Sequence, residues 1–180
     1  MKVISLILCF SASFIAAFAS TPAVRKLAYK IGALDIPDHK RHIHTKTTPL
    51  IGGLAIFFGF LIGLILFYRP FDVQARGIFI ASLLIIAAGI IDDTVVLKPK
   101  IKLLVQIVCA LIVYFHGIKI TYISVPNFMV EGGVLPLKWM SLPITLIWIV
   151  GVTNAVNLID GLDGLAAGVS SIATFSLFFI

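Results

Sequence analysis

The sequence predicts an all-α polytopic membrane protein with about six transmembrane helices, and three observations predict it. Of its 180 residues, 60% are hydrophobic and 12% charged, where a soluble domain carries roughly 25% charged residues. The mean hydropathy is +1.12. The apolar residues are also gathered into runs: Val3 to Ala19, Leu50 to Phe67, Gly77 to Ile91, Leu103 to Phe115, Leu142 to Val156 and Leu165 to Ile180. Lipid offers backbone N–H and C=O groups no partner, so a run crossing the bilayer core must be helical. The chain, 1–180, reads as a single transmembrane domain.

The first run, within MKVISLILCFSASFIAAFAS, has one lysine, an apolar stretch and small residues at Ala17 and Ala19. It fits a membrane helix or a cleavable signal peptide. The second carries Gly59 and Gly63, a small-xxx-small pair suited to close helix packing, within this chain or against a partner. A bilayer core of ~30 Å needs about 20 helical residues, with ~17 tolerable, so three runs are short. The fourth reaches that length from Ile101 to Ile120 if Lys102 and Lys119 snorkel to the surface. The third and fifth run into polar residues that lie at the interface or inside a cavity. Cys9 and Cys109 both fall in apolar runs and read as small buried hydrophobes rather than a disulfide.

Orientation follows from the basic residues in the connections. Arg25, Lys26, Lys30, Lys40, Arg41 and Lys46 precede the second run, and Lys98, Lys100 and Lys102 precede the fourth; Lys2, Arg69, Arg76, Lys119 and Lys138 fall on the other side. This bias places the N-terminus outside and segments 21–49, 92–100 and 157–165 in the cytoplasm. With a net charge of +6, the expected surroundings are membrane lipid, and no feature points to nucleic acid.

The unusual polar residues collect on the cytoplasmic side. Asp92 and Asp93 follow fifteen apolar residues, Gly77 to Ile91, without a spacer. Adjacent carboxylates repel, so a neighbouring metal ion or lysine is implied. A helix end alone accounts poorly for the pair, because acids at a helix C-terminus oppose the macrodipole. The first cytoplasmic segment combines Lys40, Arg41 and Lys46 with His39, His42, His44 and the pair Gly52 and Gly53. Headgroup binding explains its charge, and its histidine spacing is not that of a zinc site. Lysine and arginine beside glycine suit phosphate groups better. Last, NAVNLIDGLDGLAAG places Asn154, Asn157, Asp160 and Asp163 at intervals of three, with Gly161 and Gly164 breaking the helix after them. Amides also hold membrane helices together, but carboxylates at this depth are functional candidates by default.

These stretches carry a resemblance. DIPDHKRHIHTKTTPLIGG (Asp35 to Gly53), DDTVVL (Asp92 to Leu97) and NAVNLIDGLDGL (Asn154 to Leu165) resemble, in order and spacing, three cytoplasmic motifs of the polyprenyl-phosphate N-acetylhexosamine-1-phosphate transferases. The stretch DDTVVLKPKIKLLVQ is more similar to the undecaprenyl-phosphate N-acetylglucosamine-1-phosphate transferases than to the phospho-N-acetylmuramoyl-pentapeptide transferases. The resemblance implies transfer of a hexosamine 1-phosphate from a UDP-N-acetylhexosamine to undecaprenyl phosphate, releasing UMP. This is the first membrane step of cell-envelope polysaccharides such as O-antigen, in the bacterial cytoplasmic (inner) membrane. It implies a retained first helix and a bundle of about ten to eleven helices of which these would be the N-terminal part; a homodimer is one arrangement the sequence leaves open.

The resemblance also implies residue roles. Asp160 and Asp163, with Gly161 and Leu162 between them and Lys46, line the nucleotide site. Lys40, Arg41 and His44 hold diphosphate or lipid phosphate, although His44 stands one residue further from Asp35 than the family pattern has it, leaving His42 and His44 as alternatives. Asn157 and Asp93 belong to the environment of Mg2+, with Mn2+ as a substitute. Asp92 is the candidate base, the alternative being an aspartate that attacks the pyrophosphate to form a covalent phosphosugar enzyme, and Asp92, Asp93 and Asp160 form the catalytic set. The alternative function is an ion or solute transporter segment using intramembrane Asp and Asn residues, which would place its polar groups near the bilayer midplane. Here the Asp pairs stand at cytoplasmic helix ends.

Overall fold

The computed structural model describes residues 3–35, 47–67, 72–126, 128, 132–160 and 164–178. Among the described residues six helices carry the fold, as the apolar runs require: α1 (Val3–Ile31), α2 (Gly53–Phe67), α3 (Val73–Val95), α4 (Pro99–Phe115), α5 (Ser141–Ile159) and α6 (Leu165–Phe178). The stretches Ile4–Ile31, Val73–Val95 and Lys138–Ile159 are long and apolar enough to cross a membrane, and two shorter apolar helices accompany them. The protein is an all-α, multi-pass membrane protein. Its residues fall into two compact units, Met1–Val105 and Gln106–Ile180.

In the first unit α1 continues well past Ala19. Its 29 residues contain Pro22, and the hydroxyls of Ser20 and Thr21 both donate to the Ala17 carbonyl, at 2.9 and 2.8 Å. At 1.5 Å per residue such a helix is about 44 Å long, more than a bilayer core of ~30 Å can cover. The excess is the basic end with Arg25, Lys26 and Lys30. Beyond it, β1 (Leu34–Asp35) pairs antiparallel with β2 (Thr48–Pro49), setting Asp35 opposite Thr48. Val24, Ala28, Ala33, Ile51 and Ala55 form a small core around this ladder, with Leu34, Leu54 and Ile90 packed on it.

The close face of α2 is used within the chain. A Cβ at Gly59 would stand 2.6 Å from the Ser13 carbonyl oxygen and 2.9 Å from the Ala17 Cβ, and one at Gly63 would stand 2.6 Å from Ser13 Oγ. The small-xxx-small pair therefore seats α1 on α2 and is not open to a partner subunit. The two glycines differ, because backbone cannot yield whereas a hydroxyl rotates away. Gly59→Ala is expected to destabilise the detergent-solubilised protein by about 1–3 kcal/mol and Gly63→Ala by clearly less. Equal shifts in thermal unfolding would contradict this packing.

Two further helix boundaries depart from the sequence reading. α3 begins at Val73, four residues before Gly77, because the Asp72 side chain caps it by accepting from the Ala75 N–H at 2.8 Å. α4 does not extend to Ile120. It ends at Phe115, where Gly117 adopts φ +92° and the N–H groups of Gly117 and Ile118 donate to Tyr114 and Val113 at 3.0 and 3.2 Å. This is the left-handed glycine termination that closes helices with its own hydrogen bonds.

In the second unit a hairpin follows α4, with β3 (Tyr122–Ser124) antiparallel to β4 (Val134–Pro136). A 3-10 turn at Lys138–Met140 leads into α5. The α5 start is tied back by buried Ser141 and Thr145: Ser141 Oγ donates to the Ile120 carbonyl at 2.6 Å, and the Ile120 N–H donates to Thr145 Oγ1 at 3.0 Å. Cys109 is buried, Cys9 partly so, and both are free thiols.

Candidate functional site

The carboxylate pair sits inside the last turn of α3, not after it, since the helix runs on to Val95. There the two acids have different surroundings. Asp92 Oδ1 accepts from the Leu97 N–H at 2.9 Å, and Asp92 Oδ2 is 2.7 Å from Lys102 Nζ in the first turns of α4. The Asp92 carbonyl also accepts from the Val96 N–H at 2.9 Å. Val96 itself has φ 54° and ψ 86°, a left-handed conformation that a β-branched residue rarely takes. Asp92 thus pins a strained α3–α4 turn with both its backbone and its side chain.

Asp93 is left differently. It is partly buried, and among the described residues its carboxylate takes part in no hydrogen bond or ion pair. The cation that adjacent carboxylates demand is Lys102, which touches Asp92 directly and acts on Asp93 only through its field. Its side chain is 42% exposed and that of Asp92 25%, so both remain within reach of a polar ligand.

In the second unit α5 stays helical through Ile159, with Asp160 as its C-cap. Asn154 and Asn157 therefore lie about 60° apart around one helix face. They too differ. Asn154 is partly buried and donates to Gln106 Oε1 at 2.7 Å and to the Val150 carbonyl at 2.8 Å. Asn157 and Asp160 are exposed, and among the described residues their side chains make no hydrogen bond. Gly164 turns the chain at φ +78°, and its carbonyl accepts from the Gly168 N–H at 2.8 Å to open α6. Gly161, Leu162 and Asp163 lie outside the described residues, as do Lys40, Arg41, His42, His44 and Lys46. The β1–β2 ladder does describe the base of that basic segment. Gly52 and Gly53 open α2, and a Cβ on either would meet nothing within 4 Å.

The described residues assemble no group of three His, Cys, Asp or Glu able to enclose a metal ion. Taken separately, the first unit offers the carboxylate of Asp93, and the second the exposed amide of Asn157 and the exposed carboxylate of Asp160. All three are hard oxygen donors of the kind Mg2+ accepts, and Mg2+ commonly completes its shell with water and substrate phosphate oxygens. Lys102 and Gln106 are the residues that sequence reasoning passed over as partners. The signal for Lys102 was a basic residue in the first turns after an acidic helix end, and for Gln106 a single amide within an apolar helix.

A family model described as glycosyl transferase family 4 matches residues 75–180, which include both Asp pairs. Among curated proteins, the chain is 41% identical over 171 residues to a probable undecaprenyl-phosphate N-acetylglucosaminyl 1-phosphate transferase of Bacillus subtilis, covering 95% of this chain and 47% of the relative. It is 32% identical over 176 residues to a decaprenyl-phosphate N-acetylglucosaminephosphotransferase of Mycobacterium tuberculosis, covering 93% and 43%. A phospho-N-acetylmuramoyl-pentapeptide-transferase of Gloeothece citriformis is 31% identical over 145 residues, 76% of this chain and 40% of the relative. The chain thus spans about half the length of the curated relatives it matches, and it is more similar to the N-acetylglucosamine-phosphate enzymes. No solved structure matches it.

Proposed function

Because the chain belongs to glycosyl transferase family 4, we propose that the full-length protein transfers N-acetylhexosamine 1-phosphate from its UDP conjugate to undecaprenyl phosphate, giving the lipid diphospho-sugar and UMP. The observation that carries the proposal is the unequal carboxylate pair. At the end of an apolar helix, Asp92 is oriented by the Leu97 N–H and Lys102, while Asp93 has no such commitment. Phosphoryl transfer between two anionic substrates needs positioned groups of both kinds: cations against the phosphate oxygens and a carboxylate to receive the acceptor's proton.

The roles follow from that division. Asp92 is the base candidate, since its carboxylate is held in one orientation, and Lys102, paired with it and partly exposed, supplies a cation for a phosphate oxygen. Asp93 and Asn157 are assigned to Mg2+ on their donor chemistry alone, with Mn2+ as a substitute. A bound Mg2+ would offset charge on the diphosphate oxygens. Asp160 and Asp163, with Gly161, Leu162 and Lys46, are assigned to the nucleotide, and Lys40, Arg41 and His44 to phosphate. The product would serve envelope polysaccharide synthesis, O-antigen included.

The test uses membranes containing the full-length protein, radiolabelled UDP-N-acetylhexosamines and undecaprenyl phosphate. A chloroform-soluble labelled diphosphate, released with UMP and abolished by EDTA, is expected. Label that stays water-soluble with every hexosamine would reject the reading.

We propose further that the bacterial inner membrane holds the chain with the α3–α4 turn in the cytoplasm and the β3–β4 hairpin outside, as the lysine and arginine bias favours. In a background with Cys9 and Cys109 replaced, Val134→Cys in the exposed hairpin should react with an impermeant maleimide in intact cells. Lys98→Cys should react only after permeabilisation. The opposite pattern would invert the topology.

A further inference from the structure

Asn154 looks from its sequence like one of a row of site residues, but its hydrogen bonds point into the protein. Both hydrogens of its amide are used, one on Gln106 Oε1 at 2.7 Å and one on the Val150 carbonyl at 2.8 Å. Its oxygen accepts from Gln106 Nε2 at 3.4 Å. The two side chains thus face each other in a reciprocal amide pair, both partly buried, one on α4 and one on α5. Asn154 has no donor left for a substrate.

We infer that Gln106 is a positioning residue for the transfer, acting through Asn154. Asn154 is three residues before Asn157 and six before Asp160 on a helix that is continuous to Ile159. A helix of fixed pitch turns as a unit, so fixing the azimuth of Asn154 fixes that of Asn157, about 60° round and about 4.5 Å further along. In lipid this matters more than in water. Apolar faces there gain little by choosing one rotation over another, and a directional amide pair selects the rotation that apolar packing does not. The amide pair therefore sets which way the last turn of α5 presents Asn157 and Asp160. Asn157, exposed and free of hydrogen bonds to the described residues, is the group presented; Asn154 is the group that holds.

This inference rests on the transferase reading for its catalytic half only, and the experiment separates the two. In the full-length protein, Gln106→Ala, Asn154→Ala, their double variant and the swapped pair Gln106→Asn with Asn154→Gln are compared. The swap keeps the combined reach and the complementary amide groups. Each single alanine variant should lower kcat about 10- to 100-fold, as small misplacements of a reacting group do, and should raise KM for the UDP-sugar as well, because Asp160 follows the same turn. The double variant should be no worse than the poorer single one, because both remove the same contact. The swap should recover most of the lost turnover, which generic loosening of the bundle would not allow. Alanine effects that multiply, or a swap no better than the single variants, would overturn the inference. Hydrogen–deuterium exchange across residues 154–160 reads the amide pair without any substrate. Faster exchange in Gln106→Ala, restored in the swap, supports it, and unchanged exchange overturns it. If the wild-type protein makes no lipid diphosphate while exchange responds in this way, the amide pair stands and the transferase reading is what fails.

Discussion

Asp93→Asn should lower turnover of the full-length protein by about a thousandfold, roughly 4 kcal/mol of transition-state stabilisation, without lowering its melting temperature in detergent. The substitution keeps shape and removes one charge. No hydrogen bond or ion pair among the described residues depends on that carboxylate, so there is little folded-state interaction to lose. Its expected work lies with a metal ion and the phosphates, where losing a hard anionic ligand weakens metal binding directly. The concentration of Mg2+ giving half-maximal rate should therefore rise, and excess Mg2+ should recover part of the activity.

Asp92→Asn should behave otherwise. Its Oδ1 receives the Leu97 N–H and its Oδ2 faces Lys102, so the amide retains the first contact and loses the second. Turnover should fall by a similar factor, but with a drop in melting temperature and without rescue by Mg2+. Measuring rate against Mg2+ for both variants is enough to decide. Identical Mg2+ dependence and identical melting in the two variants would show that the division between them is wrong.

That division was not legible in the sequence, where Asp92 and Asp93 are interchangeable neighbours. The apolar runs announced the helices because length and hydropathy are local properties, and the acidic pair announced its need for a cation. Which acid receives the cation depends on the rotation of the last α3 turn and on the course of the connection through Val96, both tertiary matters. The same holds for Asn154 and Asn157. Their spacing placed them on one helix face, but only the approach of Gln106 separates the one that holds from the one exposed. Helix ends failed where capping outweighed hydropathy: Asp72 starts α3 early and Gly117 stops α4 short of an apolar Ile118 and Ile120. The Gly59 and Gly63 pair was read correctly as a packing face, and the choice between α1 and another subunit needed the structure.

Lys102→Met should cost turnover at least about a hundredfold, or roughly 2.7 kcal/mol, and should also loosen the α3–α4 turn. Without its ammonium the adjacent carboxylates of Asp92 and Asp93 face each other uncompensated, and their repulsion acts on the last turn of α3, where the helix dipole already disfavours negative charge. The turn is poorly placed to absorb this, because Val96 is held in its left-handed conformation by bonds to the same Asp92. Partial exposure of the ion pair limits the loss of stability to about 1 kcal/mol. Most of the effect should therefore appear in turnover, through misplacement of the carboxylates and loss of the cation that would meet a phosphate. Lys102→Arg keeps the charge but replaces a compact ammonium by a planar fork, so it should restore melting fully and turnover only in part. Combining Lys102→Met with Asp92→Asn should melt no lower than Lys102→Met alone, since the repulsion is then removed, yet turnover should not return. A Lys102→Met protein with wild-type melting and wild-type rate would show that the 2.7 Å contact serves neither the turn nor the chemistry.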